Sequence, residues 1–307
     1  MNEALQKRVQ EAIETLGYVP NSNAQALKQD CSKLIGITAS DLSVAFFPEL
    51  VKHVEKTFLP AGYATIVSST YDQPQNERMI LDHMLSRRVD VLLLNSTCQD
   101  EDRLERIQAS GTPLILYDRR SREHAFPSVY MDKHKAIYQA MEHLYGLGHR
   151  RIALVTGPRW LTSNYDRYMG FQAFAFDREL NLQECPACFG VFSEEYGFTL
   201  MDELMQMKNR PTAIMTGSIS ITAGILRYCR QHGLSIPEDM ALVSSGNFAY
   251  SGAIGMELTY MDDCVAGLSE GIIHLLRKVF QGERLSGEDQ IVLVPTLCVG
   301  MSTLGKS

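Results

Sequence analysis

From residue 34 onward, short and continuously apolar runs alternate with amphipathic stretches of helical length, and this alternation restricts the fold more than any other feature of the chain. Leu34-Ile35-Gly36-Ile37-Thr38 reads as a strand, and residues 46–58 read as a helix with Leu50, Val51, Val54 and Phe58 on one face. Thr65-Ile66-Val67-Ser68 is the next strand; the helix after it begins at Pro74 and carries Met79, Ile80, Met84 and Leu85 on its apolar face. The pattern continues with strands over 90–94, 113–117, 151–155, 212–215 and 240–244. Helices are predicted over 101–109, 134–146, 165–178, 194–207, 220–232 and 265–281. Strands this apolar are buried on both faces, so the expected class is α/β, with parallel sheets covered by helices and right-handed crossovers.

The length of 307 residues favours two such units over one. The alternation breaks at a charged, turn-rich segment, Arg119-Arg120-Ser121-Arg122-Glu123-His124, before a short strand at Ser128 to Met131, and one subdomain is expected to hand over to the next there. Residues 1–33 differ from the rest. Leu5, Val9, Ala12, Ile13 and Leu16 recur at helical spacing, Gly17 stands where a C-cap glycine belongs, and Pro20 opens a second piece too short to be a stable helix alone.

The run Arg8-Val9-Gln10-Glu11-Ala12-Ile13-Glu14-Thr15-Leu16-Gly17-Tyr18-Val19-Pro20-Asn21, with Ala24 and Leu27 ahead of Ile35-Gly36, resembles the bacterial lac/galactose-repressor family. Further landmarks are Asp41 with Phe46-Phe47, Val89-Asp90, Asp118-Arg119, Gly148-His149-Arg150-Arg151-Ile152-Ala153, Arg167 with Gly170-Phe171, Ile236-Pro237-Glu238-Asp239 and Leu258-Thr259. Asp72-Gln73-Pro74 with Asn76-Glu77, and Thr216-Gly217-Ser218 with Gly224, look most like the fructose-repressor branch.

The resemblance implies two Rossmann-like subdomains of the periplasmic-binding-protein type, preceded by the remnant of a helical DNA-binding headpiece. Residues 1–32 would be that remnant with its hinge helix, and 33–307 an effector-binding and dimerisation core. Subdomain one would span about 33–131 and 263–290, subdomain two about 132–262 and 291–307. The recognition helix would precede residue 1. The implied function is a transcriptional regulator of carbohydrate-related genes, switched by a small effector, a sugar or sugar phosphate, bound between the subdomains. Partners would be operator DNA and a second copy of the chain, with a tetramer as the larger assembly. A sugar receptor without a DNA role, or a regulator switched by a protein partner, stands as the alternative.

On the same resemblance, Asn21, Ala24 and Leu27 would contact DNA, Leu27 as a wedge into the minor groove; the competing reading is a leucine covering the core. Asp118 and Arg167 are the leading effector contacts. Asp118 closes an apolar strand, where ligands collect in open α/β sheets, or else serves as a cap or as partner to Arg119. A guanidinium at Arg167 could fork onto a diol, a carboxylate or a phosphate, or else pair with Asp166 at the surface. Phe46, Phe47, Met131 and Phe192 would give apolar walls, although Phe47 equally suits the core. Asp263 would accept sugar hydroxyls and repel a phosphate. Three family contacts are altered, with Val44-Ala45, Ser218-Ile219 and Ser244-Ser245-Gly246-Asn247 in their places, and Ser218 and Asn247 complete the candidate set.

Cys185-Pro186-Ala187-Cys188 lacks a second cysteine pair or a nearby histidine pair and precedes a strand-like run, so it reads as structural. No nucleophile elbow, P-loop, dinucleotide fingerprint or zinc-protease motif occurs, and neither an enzyme nor a cofactor nor a metal is expected. The scattered, odd-numbered cysteines (seven in all), the absence of a run near ~18 apolar residues and the polar N-terminus point to the cytoplasm, away from any membrane.

The chain carries a net charge of -7, and residues 1–33 balance Lys7, Arg8, Lys28 and Lys33 against Glu3, Glu11, Glu14 and Asp30. With the recognition helix expected ahead of residue 1 and no basic footprint in residues 1–33, this chain alone should bind duplex DNA weakly and without sequence preference. Gel shifts in about 150 mM salt should show this, and sub-micromolar, sequence-selective binding would contradict it.

Overall fold

The structure, a computed structural model, describes residues 8, 12, 15, 31–44, 46–247, 255 and 257–304. The candidate DNA contacts Asn21, Ala24 and Leu27 lie outside the described residues.

Two six-stranded sheets account for the alternation. The first is built from β1 (Leu34–Ala39), β2 (Ala64–Ser69), β3 (Val91–Leu94), β4 (Leu114–Tyr117), β5 (Ser128–Met131) and β11 (Gln290–Leu293), in the order β11-β5-β4-β3-β1-β2, all parallel. The second comprises β6 (Ile152–Thr156), β7 (Ala187–Phe189), β8 (Ala213–Thr216), β9 (Ala241–Ser245), β10 (Thr259–Met261) and β12 (Leu297–Cys298). Its order is β12-β10-β9-β8-β6-β7, and β12 alone runs antiparallel.

Central strands are buried along their length, as their composition requires: β3, β4 and β6 expose nothing. Helices α1 (Phe46–Phe58) and α8 (Val265–Phe280) cover one face of the first sheet through Leu50, Val54, Leu268, Ile272 and Leu276. Helices α2 (Pro74–Ser86) and α3 (Glu101–Ala109) cover the other through Leu81, Met84, Leu104 and Ile107. On the second sheet, α4 (Lys133–Gly146) and α5 (Thr162–Asp177) bury Ile137, Met141, Phe171 and Phe174. Helices α6 (Glu194–Gln206) and α7 (Ile219–His232) close its far side with Met201, Leu204, Ile221 and Ile225.

The chain therefore passes between the sheets three times: from β5 into α4, from β10 into α8, and from β11 into β12. The last passage corrects one sequence expectation. The resemblance implies a second subdomain resuming at about residue 291, but Ile291↔Val129 and Leu293↔Met131 are paired in the first sheet, so the crossing falls after Leu293. Four consecutive residues with two β-branched members are enough for an edge strand, and hydrogen bonding to β5 outweighs the short span.

Helices α4 and α5 approach closely because Gly170 has no side chain: a Cβ there would lie 2.2 Å from the carbonyl oxygen of His134. Gly170→Ala should destabilise the protein by about 1–3 kcal/mol, since helix backbone must shift to relieve the overlap. Gly146→Ala, which meets nothing within 4 Å, should be close to neutral. Thermal melts of the two variants check the contrast.

Candidate functional site

The carboxyl ends of both sheets face one cavity of about 490 Å³. Asp118, immediately after β4, is its central acid. Its backbone is left-handed (φ 61°), and its amide donates to the carbonyl of Val129. Lys133, the first residue of α4, reaches back from the second subdomain and places Nζ 3.2 Å from Asp118 Oδ1. Asn95 Nδ2 donates to the other carboxylate oxygen at 3.3 Å. Burial alone would raise the Asp118 pKa; Lys133, Arg119 and Arg167 outweigh it and hold the carboxyl below its usual range.

Arg119 turns away from Asp118 and pairs with Asp72, Nη1 to Oδ1 at 2.7 Å, while its buried Nε has no partner among the described residues. The alternative of an Asp118–Arg119 pair is thus replaced by two separate pairs. Arg167, only 6 % exposed, comes from the first turns of α5. Its Nη1 donates to Asn164 Oδ1 at 3.0 Å and its Nη2 to Ser245 Oγ at 3.4 Å, both neutral acceptors. Asn164 is itself fixed by Thr156 Oγ1 at 2.8 Å and by donation to the Pro158 carbonyl. The surface pair Arg167–Asp166 does not form; Asp166 is held by Arg120.

Asp263 lies on the second passage, between β10 and α8, and against Gly246, where a Cβ would sit 2.3 Å from its Oδ2; the glycine's φ of 90° suits the same turn. Burial raises the Asp263 pKa to about 6, with Lys133 and Arg167 opposing and Asp118 adding to the rise. No hydrogen bond or ion pair within the protein engages this carboxyl among the described residues.

Of the expected effector contacts, Phe46, Phe47, Asp118, Met131, Arg167, Phe192, Ser218 and Asp263 all line the cavity. Phe47 serves the core as well, being 5 % exposed and edge-on to Tyr117 at 6.3 Å. Ser218 is committed to capping α7, accepting from the Ile221 amide at 3.2 Å. Asn247 is a correction: it is exposed and outside the lining, and Ser245, still on β9, faces the cavity in its stead. Strand alternation and the turn at Gly246 carry the chain away before residue 247.

The sequence reading missed Lys133, Arg119, Asp72 and Trp160, all in the lining. Lys133 carried a usable signal, since a lysine at the first helical position opposes the helix dipole and needs a reason to be there. Trp160 follows the carboxyl end of β6 by four residues, where pocket side chains gather. The cysteine pair lies apart from this cavity: Cys185 Sγ donates to the Arg150 carbonyl at 3.2 Å, and burial pushes Cys188 up to about 11.

Two parallel α/β subdomains joined by three passages around one charged cleft define a two-lobed small-molecule-binding protein. A periplasmic binding protein-like domain model matches residues 141–303, more than half of the chain. Catabolite control protein A of Priestia megaterium is 26 % identical over 290 residues, covering 94 % of this chain and 87 % of that protein. The HTH-type transcriptional repressor CytR of Escherichia coli is 27 % identical over 251 residues, covering 80 % and 72 %. The lac repressor dimer bound to operator and an anti-inducer superposes with a TM-score of 0.83 at 23 % identity, over 97 % of this chain and 90 % of that one, which speaks to the fold. The chain belongs to the lac/galactose-repressor family and carries its periplasmic-binding-protein-like core.

The Lys133–Asp118 pair yields a prediction. Lys133→Met should cost about 3–5 kcal/mol, because it strands a buried carboxylate, and Lys133→Met with Asp118→Asn should recover part of that loss. The Asp118 pKa is lowered in the fold, so its contribution is present above the unfolded value and fades as pH falls through the folded one. Denaturant unfolding between about pH 7 and pH 3 should therefore show the gap between wild type and Lys133→Met narrowing in acid.

Proposed function

We propose that the protein is a DNA-binding transcriptional repressor of carbohydrate-related genes, switched by a sugar that closes the cleft. The observation that carries this reading is the convergence of Asp118 from one subdomain and Arg167 from the other on a single cavity. A ligand bridging them is held fully only when the subdomains are together, and a ligand that prefers one of two arrangements shifts the population toward it. Repression by the relatives, named as transcriptional repressors, supports the DNA-binding half of the reading. A homodimer is the assembly that would carry the shift to paired hinge segments, and Asn21, Ala24 and Leu27 are the proposed contacts there.

The charges favour a neutral polyol over a sugar phosphate. Arg119 with Asp72 and Lys133 with Asp118 are already neutralised as pairs, and Arg167 is balanced through space by Asp118 and then Asp263. A diol can accept from Arg167 while donating to Asp263, with Phe46, Met131, Phe192 and Trp160 against the apolar faces of the ring. Ser218, fixed by its capping bond, adds a hydroxyl at the rim.

Titration calorimetry over a panel of pentoses, hexoses and their phosphates tests this. Arg167→Ala should weaken the bound sugar at least about tenfold, the loss expected of one charge-assisted hydrogen bond, without unfolding the free protein. Because the sugar binds the ionised form of Asp263, affinity should climb by up to about tenfold per pH unit below 6 and level off above it. A phosphate ester that binds more weakly as pH rises through the same range would reverse the ligand assignment. Equal affinity of wild type and Arg167→Ala for every ligand would remove the site.

A further inference from the structure

The segment Arg119–His124, between β4 and β5, does more than return the chain to the first sheet. Arg120 forks onto Asp166 of α5, Nε to Oδ2 at 3.2 Å and Nη2 to Oδ1 at 3.0 Å. Arg122 lies over the ring of Tyr165, 3.7 Å from its centroid. Both contacts run from the first subdomain to the second, and both land on the two residues immediately preceding Arg167. On the near side they adjoin Asp118 and Arg119. The base of the segment is fixed to α3: the buried Glu101 accepts from Ser121 Oγ and from the amide of His124 at 3.1 Å, and His124 Nδ1 is 2.8 Å from Glu105. Arg120 is further backed by the Tyr130 ring, at 5.8 Å. The arm is anchored at its root, and its tips grip the opposite subdomain.

From this juxtaposition we infer that Arg120 and Arg122 form a clasp between the subdomains, setting the register in which Asp118 meets Arg167 whenever the cleft is closed. A planar guanidinium forking onto a carboxylate fixes distance and angle together, and a cation over an aromatic face restricts sliding, so the two contacts set register as well as attraction. Arg120 is a positioning residue here: it touches Asp166, not the cavity lining. That the register serves effector binding rests on the proposed function, whereas the clasp itself is a property of the free protein.

The test needs no effector. Trypsin cleaves after arginine, and a clasped Arg120 or Arg122 is protected except when the arm lets go, so cleavage follows the open population. Asp166→Asn removes the acceptor charge and leaves the cleavage sites intact; cleavage at Arg120 and Arg122 should become at least about threefold faster at low salt. The difference should vanish near 1 M salt, where the screening length falls to about 3 Å. Arg120→Asp combined with Asp166→Arg should restore protection at Arg122. The clasp is refuted if Asp166→Asn is cut at the wild-type rate, or if the exchanged pair is cut as fast as Asp166→Asn. Should Asp166→Asn not fold, Tyr165→Leu, which removes the face beneath Arg122, must show faster cleavage at Arg122 for the inference to stand. Failure to find a sugar ligand would leave this result untouched.

Discussion

The ion pair between Lys133 and Asp118 is the constraint around which the rest of the cleft is arranged. Its two members belong to different subdomains, one opening α4 and the other following β4; Lys133 is buried and Asp118 half-buried. Removing such charges from solvent is costly, and only close, hydrogen-bonded partners offset it. That requirement fixes the first passage between the sheets to a narrow range of geometries. It also redirects Arg119, which would otherwise be the neighbour of Asp118, toward Asp72, and it withdraws Asp118 from full exposure to a ligand.

The charge left available lies deeper. Asp263 and Arg167 feel each other's field without closing into a pair, and each retains unused hydrogen-bonding capacity toward the cavity. A cleft in which opposite charges are held apart offers a ligand hydroxyl two roles at once, as donor and acceptor. Aromatic and sulfur-containing side chains on the walls exclude water from those contacts and strengthen them.

The fold was legible where burial dictates composition. Strands such as Val91–Leu94 and Ile152–Thr156 are apolar throughout because helices cover both faces, and their helices show the matching stripe. Short edge strands were not legible: Gln290–Leu293 and Leu297–Cys298 are defined by the neighbours they pair with, not by a pattern of their own. Asp118 stands out from its place after β4, whereas Arg167 is legible only through the family resemblance. Lys133 is legible only through its place at a helix start, where a cation opposes the helix dipole; otherwise a lysine in a polar stretch reads as a solvated side chain. Asn247 failed for the opposite reason, the turn at Gly246 being invisible to a residue-by-residue comparison.

The third passage has a consequence for synthesis. The first sheet lacks its β11 edge until residue 293 exists, and its core lacks Leu268, Ile272, Leu275 and Leu276 until α8 is made. The second sheet waits in turn for β12. On a ribosome adding about 5–20 residues per second, neither half is complete when its own first strands emerge, and both must be kept from aggregating until β11 and β12 are delivered. The two lobes therefore mature almost together, once β11 and β12 have emerged, as one cooperative event instead of two successive ones.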